Sequence, residues 1–145
     1  MAFVTTDPID PVVLLEEVMG PDRGGTAMFL GTVRCGPDDG PVEAIDYSGY
    51  REMVEAEFGR IADEATTRWP DARVTGRHRL GEIPLGEASI AIVAAAPHRI
   101  EALEACRYVL EECKQRLPVW KRERLADGTE RWREGEGTAW VSPSP

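Results

Sequence analysis

The chain predicts an α+β fold, and three stretches carry that reading. Residues 89–96 form an apolar run of strand length, apolar enough to lie at the centre of a sheet. Leu103, Cys106, Leu110, Cys113 and Leu117 recur at spacings of three and four, one apolar stripe on a helix of about five turns near 98–117. Residues 119–125 and 129–133 flank Ala126-Asp127-Gly128, a hairpin signal.

The remaining elements follow in order. Asp10 reads as an N-cap, Pro11 as the first helical residue and Gly20 as the stop, which brackets a short helix over 12–19. Residues 26–33 are apolar and partly β-branched, which predicts a buried strand running into Arg34. Cys35-Gly-Pro-Asp-Asp-Gly40 reads as a turn or mobile loop and 42–47 as a second strand. Val54, Phe58, Ile61 and Ala65 sit at helical spacing within 52–68, and Trp69-Pro70 ends that helix. Strands are expected at 72–80 and 88–95, separated by 81–86. Pro97 stands where the long helix begins and Pro118 where it ends, and 141–145 reads as a frayed tail.

At 145 residues the chain fits one domain, able to bury roughly two-thirds of its unfolded surface. With 42% hydrophobic and 30% charged residues it has the composition of a soluble globular protein. It contains no run of 18 apolar residues, so no membrane span is expected. Residues 1–7 lack the basic start and apolar core of a signal peptide, and a cytoplasmic location is expected. Cys35, Cys106 and Cys113 form no CxxC pair and no even set, which argues for a reducing compartment and against a metal site. Cys106 and Cys113 lie on the helical stripe about 10 Å apart, too far to bridge, and read as buried packing.

Seventeen basic and 26 acidic residues give a net charge of −9, which disfavours nucleic acid as a partner. Basic residues nevertheless gather at 77–79, 98–99 and 114–124. Singly these are solvated faces with ion pairs; together they suggest a pocket for a small anion. No GxSxG, P-loop, HExxH or GxGxxG motif is present, and two histidines are too few for a His-rich metal site. The candidates left are cationic. Arg34 follows a strand and precedes a Gly-Pro loop, where side chains reach ligands. His98 and Arg99 stand at the start of the long helix, whose free N–H groups favour an anion. Lys114 neighbours Cys113 near the helix end, and Lys121 follows Trp120 in the next strand. Lysines held among apolar groups suit proton transfer or nucleophilic attack. Each taken alone also reads as a helix-end dipole partner or a surface charge.

Four segments together resemble the large subunit of molybdopterin synthase. They are Phe29-Leu-Gly-Thr-Val-Arg34, Tyr47-Ser-Gly-Tyr-Arg-Glu-Met53, His78-Arg-Leu-Gly-Glu-Ile-Pro-Leu-Gly-Glu87, and the block from Ala96-Pro-His-Arg99 through Leu117-Pro-Val-Trp-Lys-Arg-Glu123. The similarity runs on through Asp127-Gly and Arg131-Trp132 and spans about residues 10–133 in order. The resemblance implies a single domain of α/β hammerhead type with a mostly antiparallel sheet. It implies a homodimer within a heterotetramer, each end holding a ubiquitin-like sulfur carrier whose C-terminal Gly-Gly thiocarboxylate enters the site. Two sulfurs delivered this way convert cyclic pyranopterin monophosphate to molybdopterin, with no cofactor of the enzyme's own. Lys114 and Lys121 match the catalytic positions. Arg34, His98 and Arg99 match positions associated with the phosphate-bearing substrate, and Glu123 an acidic position beside the second lysine. No cysteine matches a catalytic role, and the chain ends in Ser-Pro-Ser-Pro, so the resemblance makes it the acceptor and not the carrier.

Two departures stand out. Gly36-Pro-Asp-Asp-Gly40 replaces a loop usually rich in Asn, His or Gly, and Glu136 stands where some members carry a basic residue, a contact that Arg131 or Arg133 could supply. Two alternatives remain at this point: a non-catalytic dimeric scaffold for a ubiquitin-like protein, using the surface near Trp120, Trp132 and Trp140, or a binder of another phosphate ester through Arg34, His98 and Arg99. Neither requires both Lys114 and Lys121.

Overall fold

The structure is a computed structural model that describes residues 2–35 and 41–133, with side chains as far as Arg131. The expected loop at 36–40, Glu136, Trp140, the tail at 141–145 and the side chains of Trp132 and Arg133 lie outside what it describes. The elements in order are β1 (Val4–Thr5), α1 (Pro11–Val18), β2 (Gly25–Thr32), β3 (Val42–Gly49), α2 (Arg51–Arg68), β4 (Arg73–Arg79), β5 (Gly81–Pro84), β6 (Ala88–Ala96), α3 (Arg99–Arg116), β7 (Val119–Leu125) and β8 (Glu130–Arg133). No helix among the described residues is long and apolar enough to cross a membrane.

The α+β expectation holds, with a difference in organisation. Two four-stranded sheets form where one was expected, in the orders β1-β4-β6-β2 and β5-β3-β7-β8. Every pair is antiparallel except β1 with β4. Strand β6 is central and covered on both faces. Its Ala91, Val93 and Ala95 pack on Leu14 and Val18 of α1. Its Ile90, Ile92, Ala94 and Ala96 face α2 and α3 through Val54, Ile61, Ala102, Ala105 and Val109. A strand with no solvent face has no room for polar alternation, which is why the run is apolar throughout.

Helix α1 begins as expected, with the Asp10 carboxylate accepting from the Val12 N–H at 3.0 Å and Pro11 in the first turn. It ends one residue early, because Met19 already turns to extended geometry and Gly20 is not needed as the stop. Helix α2 buries Val54, Ile61 and Ala65, with Phe58 packed partly beside them, as its spacing predicts. In α3 the buried stripe is Ala102, Ala105, Cys106, Val109 and Cys113, while Leu103 is exposed and Leu110 half-buried. The expected apolar stripe thus holds at Cys106, Cys113 and Leu117, which are buried, and shifts elsewhere toward Ala102, Ala105 and Val109. Small residues let the helix lie close on β6 and β2, which leaves Leu103 and Leu110 at its edge. Both helical cysteines are buried and unbridged, as anticipated.

Three further differences have local causes. Strand β2 was expected to be buried, yet Met28, Phe29 and Leu30 are each about two-fifths exposed because the strand forms the edge of its sheet. The segment expected as a connector contains β5, a four-residue edge strand pairing Ile83 with Ile45 of β3. It is too short to show alternation, and Ile83 is nevertheless fully buried with Val33, Val42 and Ile45. Strand β1 was not anticipated. Its register is imposed from α2, where the Glu55 carboxylate accepts from the N–H of Phe3 and Val4 at 3.0 and 2.8 Å and Arg51 donates to the Val4 carbonyl.

The C-terminal hairpin forms as predicted. Gly128 takes a positive φ of 89°, and Asp127 Oδ1 accepts from the Thr129 N–H and hydroxyl, closing the turn between β7 and β8.

Candidate active site

Charge pairing removes most of the basic residues from consideration. Arg77 is buried against Glu17 of α1, and Arg79 pairs with Glu87 at 2.8 Å. Arg116 gathers Glu57, Glu64 and Glu112 within 3.0 Å and clamps α2 to α3. Hydrogen bonds from Arg116 hold the Glu64 carboxyl down at about 2. Arg122 pairs with Asp46 and Glu130, and Arg124 with Glu82. The segments 77–79 and 114–124 are therefore largely structural ion pairs rather than open anion sites, and the lysines within them have a different setting.

Lys121 lies in β7 directly opposite Tyr47 of β3, and Glu123 directly opposite Ile45. Alternation in a strand puts Lys121, Glu123 and Leu125 on one face, the face that packs toward Val33, Ile45 and Ile83. Lys121 is half-buried and Glu123 only 5% exposed. The Glu123 carboxylate accepts from Arg131 Nε at 2.7 Å, so a buried charge is compensated by the hairpin strand β8. Arg131, one of the two arginines that could supply the missing basic contact, is engaged there with Glu123.

Lys114 is half-buried in the last turn of α3, and its charge acts on His78. His78 sits in β4, 4% exposed, with its ring edge-on to Tyr47 at 5.1 Å and to Phe3 at 6.3 Å. His78, Tyr47 and Lys121 thus follow one another from the first sheet to the second, with Glu123 on the Lys121 face and the Lys114 charge felt at His78. Arg34 follows Val33, which is buried in the core of the second sheet, so Arg34 emerges exposed on that sheet's side. His98 and Arg99 are elsewhere. Both are exposed at the opposite end of α3, beside the start of β2, where Gly25 leaves no room for a Cβ against the Arg99 backbone. An 18-residue helix is about 27 Å long, so one chain does not bring the two cationic groups together.

Neither His78 nor Tyr47 carried a role in the sequence reading, although both stand in the strings that carry the resemblance. The available signal was a histidine next to apolar-facing strand positions, which cannot be told from a core histidine without the second sheet. Burial holds the Cys113 thiol up at about 12 and also raises Cys106, so neither buried cysteine ionises near neutral pH.

Burial, with a smaller push from Lys114, lowers the His78 imidazole to about 4 from an ordinary 6.5. A histidine depressed in the folded state takes up its proton first in the unfolded chain. Its contribution to stability is complete above pH 6.5 and is lost as pH falls toward 4, by about 3 kcal/mol in all. Denaturant unfolding across this window is expected to show that decline, and His78→Gln to flatten it. The Glu64 carboxylate adds its own loss only lower, below about 4.5.

The MoaE protein family matches residues 4–116. The chain belongs to that family. Among relatives, the molybdopterin synthase catalytic subunit of Thermoplasma volcanium is 37% identical over 129 residues, covering 89% of this chain and 94% of the relative. Among solved structures, molybdopterin synthase from Staphylococcus aureus superposes with a TM-score of 0.86 at 28% identity, covering 91% of this chain and 96% of that one. A complex of subunits 1 and 2 of molybdopterin-converting factor from Helicobacter pylori gives 0.76 at 20% identity, covering 92% and 90%, and supports the fold alone. Membership in the MoaE family makes the chain an enzyme subunit of molybdenum cofactor biosynthesis.

Proposed function

We propose that this MoaE-family chain transfers sulfur to cyclic pyranopterin monophosphate, building the dithiolene of molybdopterin with two sulfurs from a ubiquitin-like small subunit. The observation that carries the reading is that half-buried Lys114 of α3 acts electrostatically on His78, whose ring meets Tyr47, the residue paired with half-buried Lys121 of β7. Lys114 acts where thiocarboxylate and pterin meet, as an acid–base or anchoring group, and Lys121 stabilises the negative charge that develops. Arg34, His98 and Arg99 bind the phosphate-bearing substrate. Glu123, buried beside Lys121 and tied to Arg131, holds the hairpin strand that carries this face. The buried, neutral thiols fit a reaction whose sulfur arrives on another protein.

Two copies pair to make the dimer of a cytoplasmic heterotetramer. The edge strand β2 supports this, since Met28, Phe29 and Leu30 are exposed together with Ile100 and Leu103 of the adjoining α3. An unpaired apolar edge of this kind calls for a covering strand. The small subunit docks near the C-terminal hairpin, and its tail enters in extended form toward Lys114.

The test mixes the chain with a thiocarboxylated carrier and cyclic pyranopterin monophosphate and assays the dithiolene product. Product dependent on all three components is expected; its absence from folded chain with competent carrier overturns the reading. In the same system, deleting the residues after Leu125 is expected to abolish the complex seen by size exclusion. A folded truncation that binds the carrier normally moves the docking site elsewhere.

A further inference from the structure

The run 78–87 carries part of the family resemblance, yet the reaction proposed above uses nothing in its second half. That half makes the turn by which the chain passes from the second sheet back to the first. Strand β5 ends at Pro84 in the second sheet, and β6 begins at Ala88 in the first. Between them the Glu87 N–H donates to the Pro84 carbonyl at 3.1 Å, which closes a four-residue turn. Gly86 stands third in it with a φ of 88°, and no non-glycine residue among those described has a positive φ. This is the type II pattern, whose third position favours glycine. A Cβ on Gly86 would meet nothing within 4 Å, so backbone conformation and not space demands glycine here.

Strand β2 crosses in the other direction at the same place. Its ladder with β6 ends at Thr32 opposite Ala88, after a register shift at Gly31. The next residue, Val33, is buried in the second sheet's core with Val42, Ile45 and Ile83. Its backbone is bonded to the turn on both sides. The Val33 N–H donates to the Glu87 carbonyl at 2.9 Å, and the Gly86 N–H donates to the Val33 carbonyl at 2.8 Å. The turn is itself tied down at two further points. The Leu85 N–H donates to the Glu43 carbonyl at 3.0 Å, and the Glu87 carboxylate accepts from Arg79 at 2.8 Å. The Val33 carbonyl belongs to the peptide that leads into Arg34. That peptide is planar, so the Gly86 N–H fixes where the Arg34 backbone starts.

We propose that Gly86 is a positioning residue for Arg34: the turn it allows clamps Val33 and so sets the point from which the Arg34 guanidinium reaches the substrate phosphate. The inference deepens the phosphate-binding role proposed for Arg34 and rests on that reading for its kinetic arm; an exchange arm does not need it.

The exchange arm follows backbone amides by 15N-resolved NMR in deuterated buffer. The Val33 amide is expected to exchange about tenfold faster in Gly86→Ala than in the wild type, since alanine resists a positive φ. The amides of Ile92 and Val93 in central β6 are expected to keep their protection. Gly86→Asn enters the positive-φ region more readily and is expected to recover most of the Val33 protection. Unchanged Val33 exchange in Gly86→Ala overturns the proposal, whatever the substrate. Protection lost throughout β6 means that the strain spreads through the fold, and it overturns the local clamp as well. The kinetic arm uses the dithiolene assay. Gly86→Ala is expected to raise KM for cyclic pyranopterin monophosphate about tenfold and to leave kcat nearly unchanged. In an Arg34→Ala chain no guanidinium is left to misplace, and the same substitution is expected to raise KM no further. Effects of the two substitutions that simply multiply overturn the proposal. A wild-type chain that makes no product overturns the sulfur-transfer reading instead and leaves the decision to the exchange measurement.

Discussion

Lys114→Ala is expected to lower dithiolene formation by about 100- to 1,000-fold while the chain folds and captures its carrier as before. The magnitude follows from the setting. Lys114 is half-buried at the end of α3, and His78, on which its charge acts, is almost wholly buried. A charge placed where solvent is partly excluded acts on a reacting group far more strongly than one in water. The fold has little to lose, since alanine is the best helix former and Lys114 stands outside the α3 residues packed on β6. Turnover, thermal unfolding and carrier binding measured together separate the cases. Full turnover removes Lys114 from the mechanism, and lost turnover accompanied by lost folding removes the inference from that variant to Lys121→Ala, which is expected to show a smaller defect.

Mixing an Arg99→Ala chain with a Lys114→Ala chain is expected to raise activity from near zero to about a quarter of the wild-type level. The reason is geometric. Arg99 opens α3 and Lys114 lies in its last turn, roughly 22 Å away at 1.5 Å per residue. A cyclic pyranopterin phosphate spans about 10 Å, judged from fused rings with bonds near backbone lengths. One chain therefore cannot set both cations on one substrate, whereas a two-fold pair joined along β2 and α3 can bring His98 and Arg99 of one copy to Lys114, Lys121 and Arg34 of the other. Statistical exchange makes half the dimers mixed, and each of those has one intact site. A mixture that stays inactive after subunit exchange is verified by mass would put the whole site within one chain.

Much of this architecture was legible in the residues themselves. The Asp10-Pro11 start of α1, the helical spacing of Val54, Phe58, Ile61 and Ala65, and the apolar run of β6 each depend on contacts within a few residues or on burial of a whole element. Local chemistry therefore determines them, as it does the hairpin at Asp127-Gly128. The candidate site residues were legible too, through the resemblance, as separate points along the chain.

What only the tertiary structure decided is how those points meet. Strand β5 exists because Ile83 finds Ile45 on β3, and β1 because Glu55 binds its backbone, pairings whose partners lie 38 and about 50 residues away. The apolar stripe of α3 misleads at Leu103 and Leu110 because spacing gives a periodicity but not the width of the groove it must enter, and the close approach to β6 selects alanines. The arginines of 77–79 and 114–124 looked like an anion pocket because charge is visible in sequence while its compensation by Glu17, Glu57 or Asp46 is not. His78 is the clearest case. Its depressed titration and its edge-on contact with Tyr47 arise from burial between two sheets, and burial is a property of the packed chain and not of any segment of it.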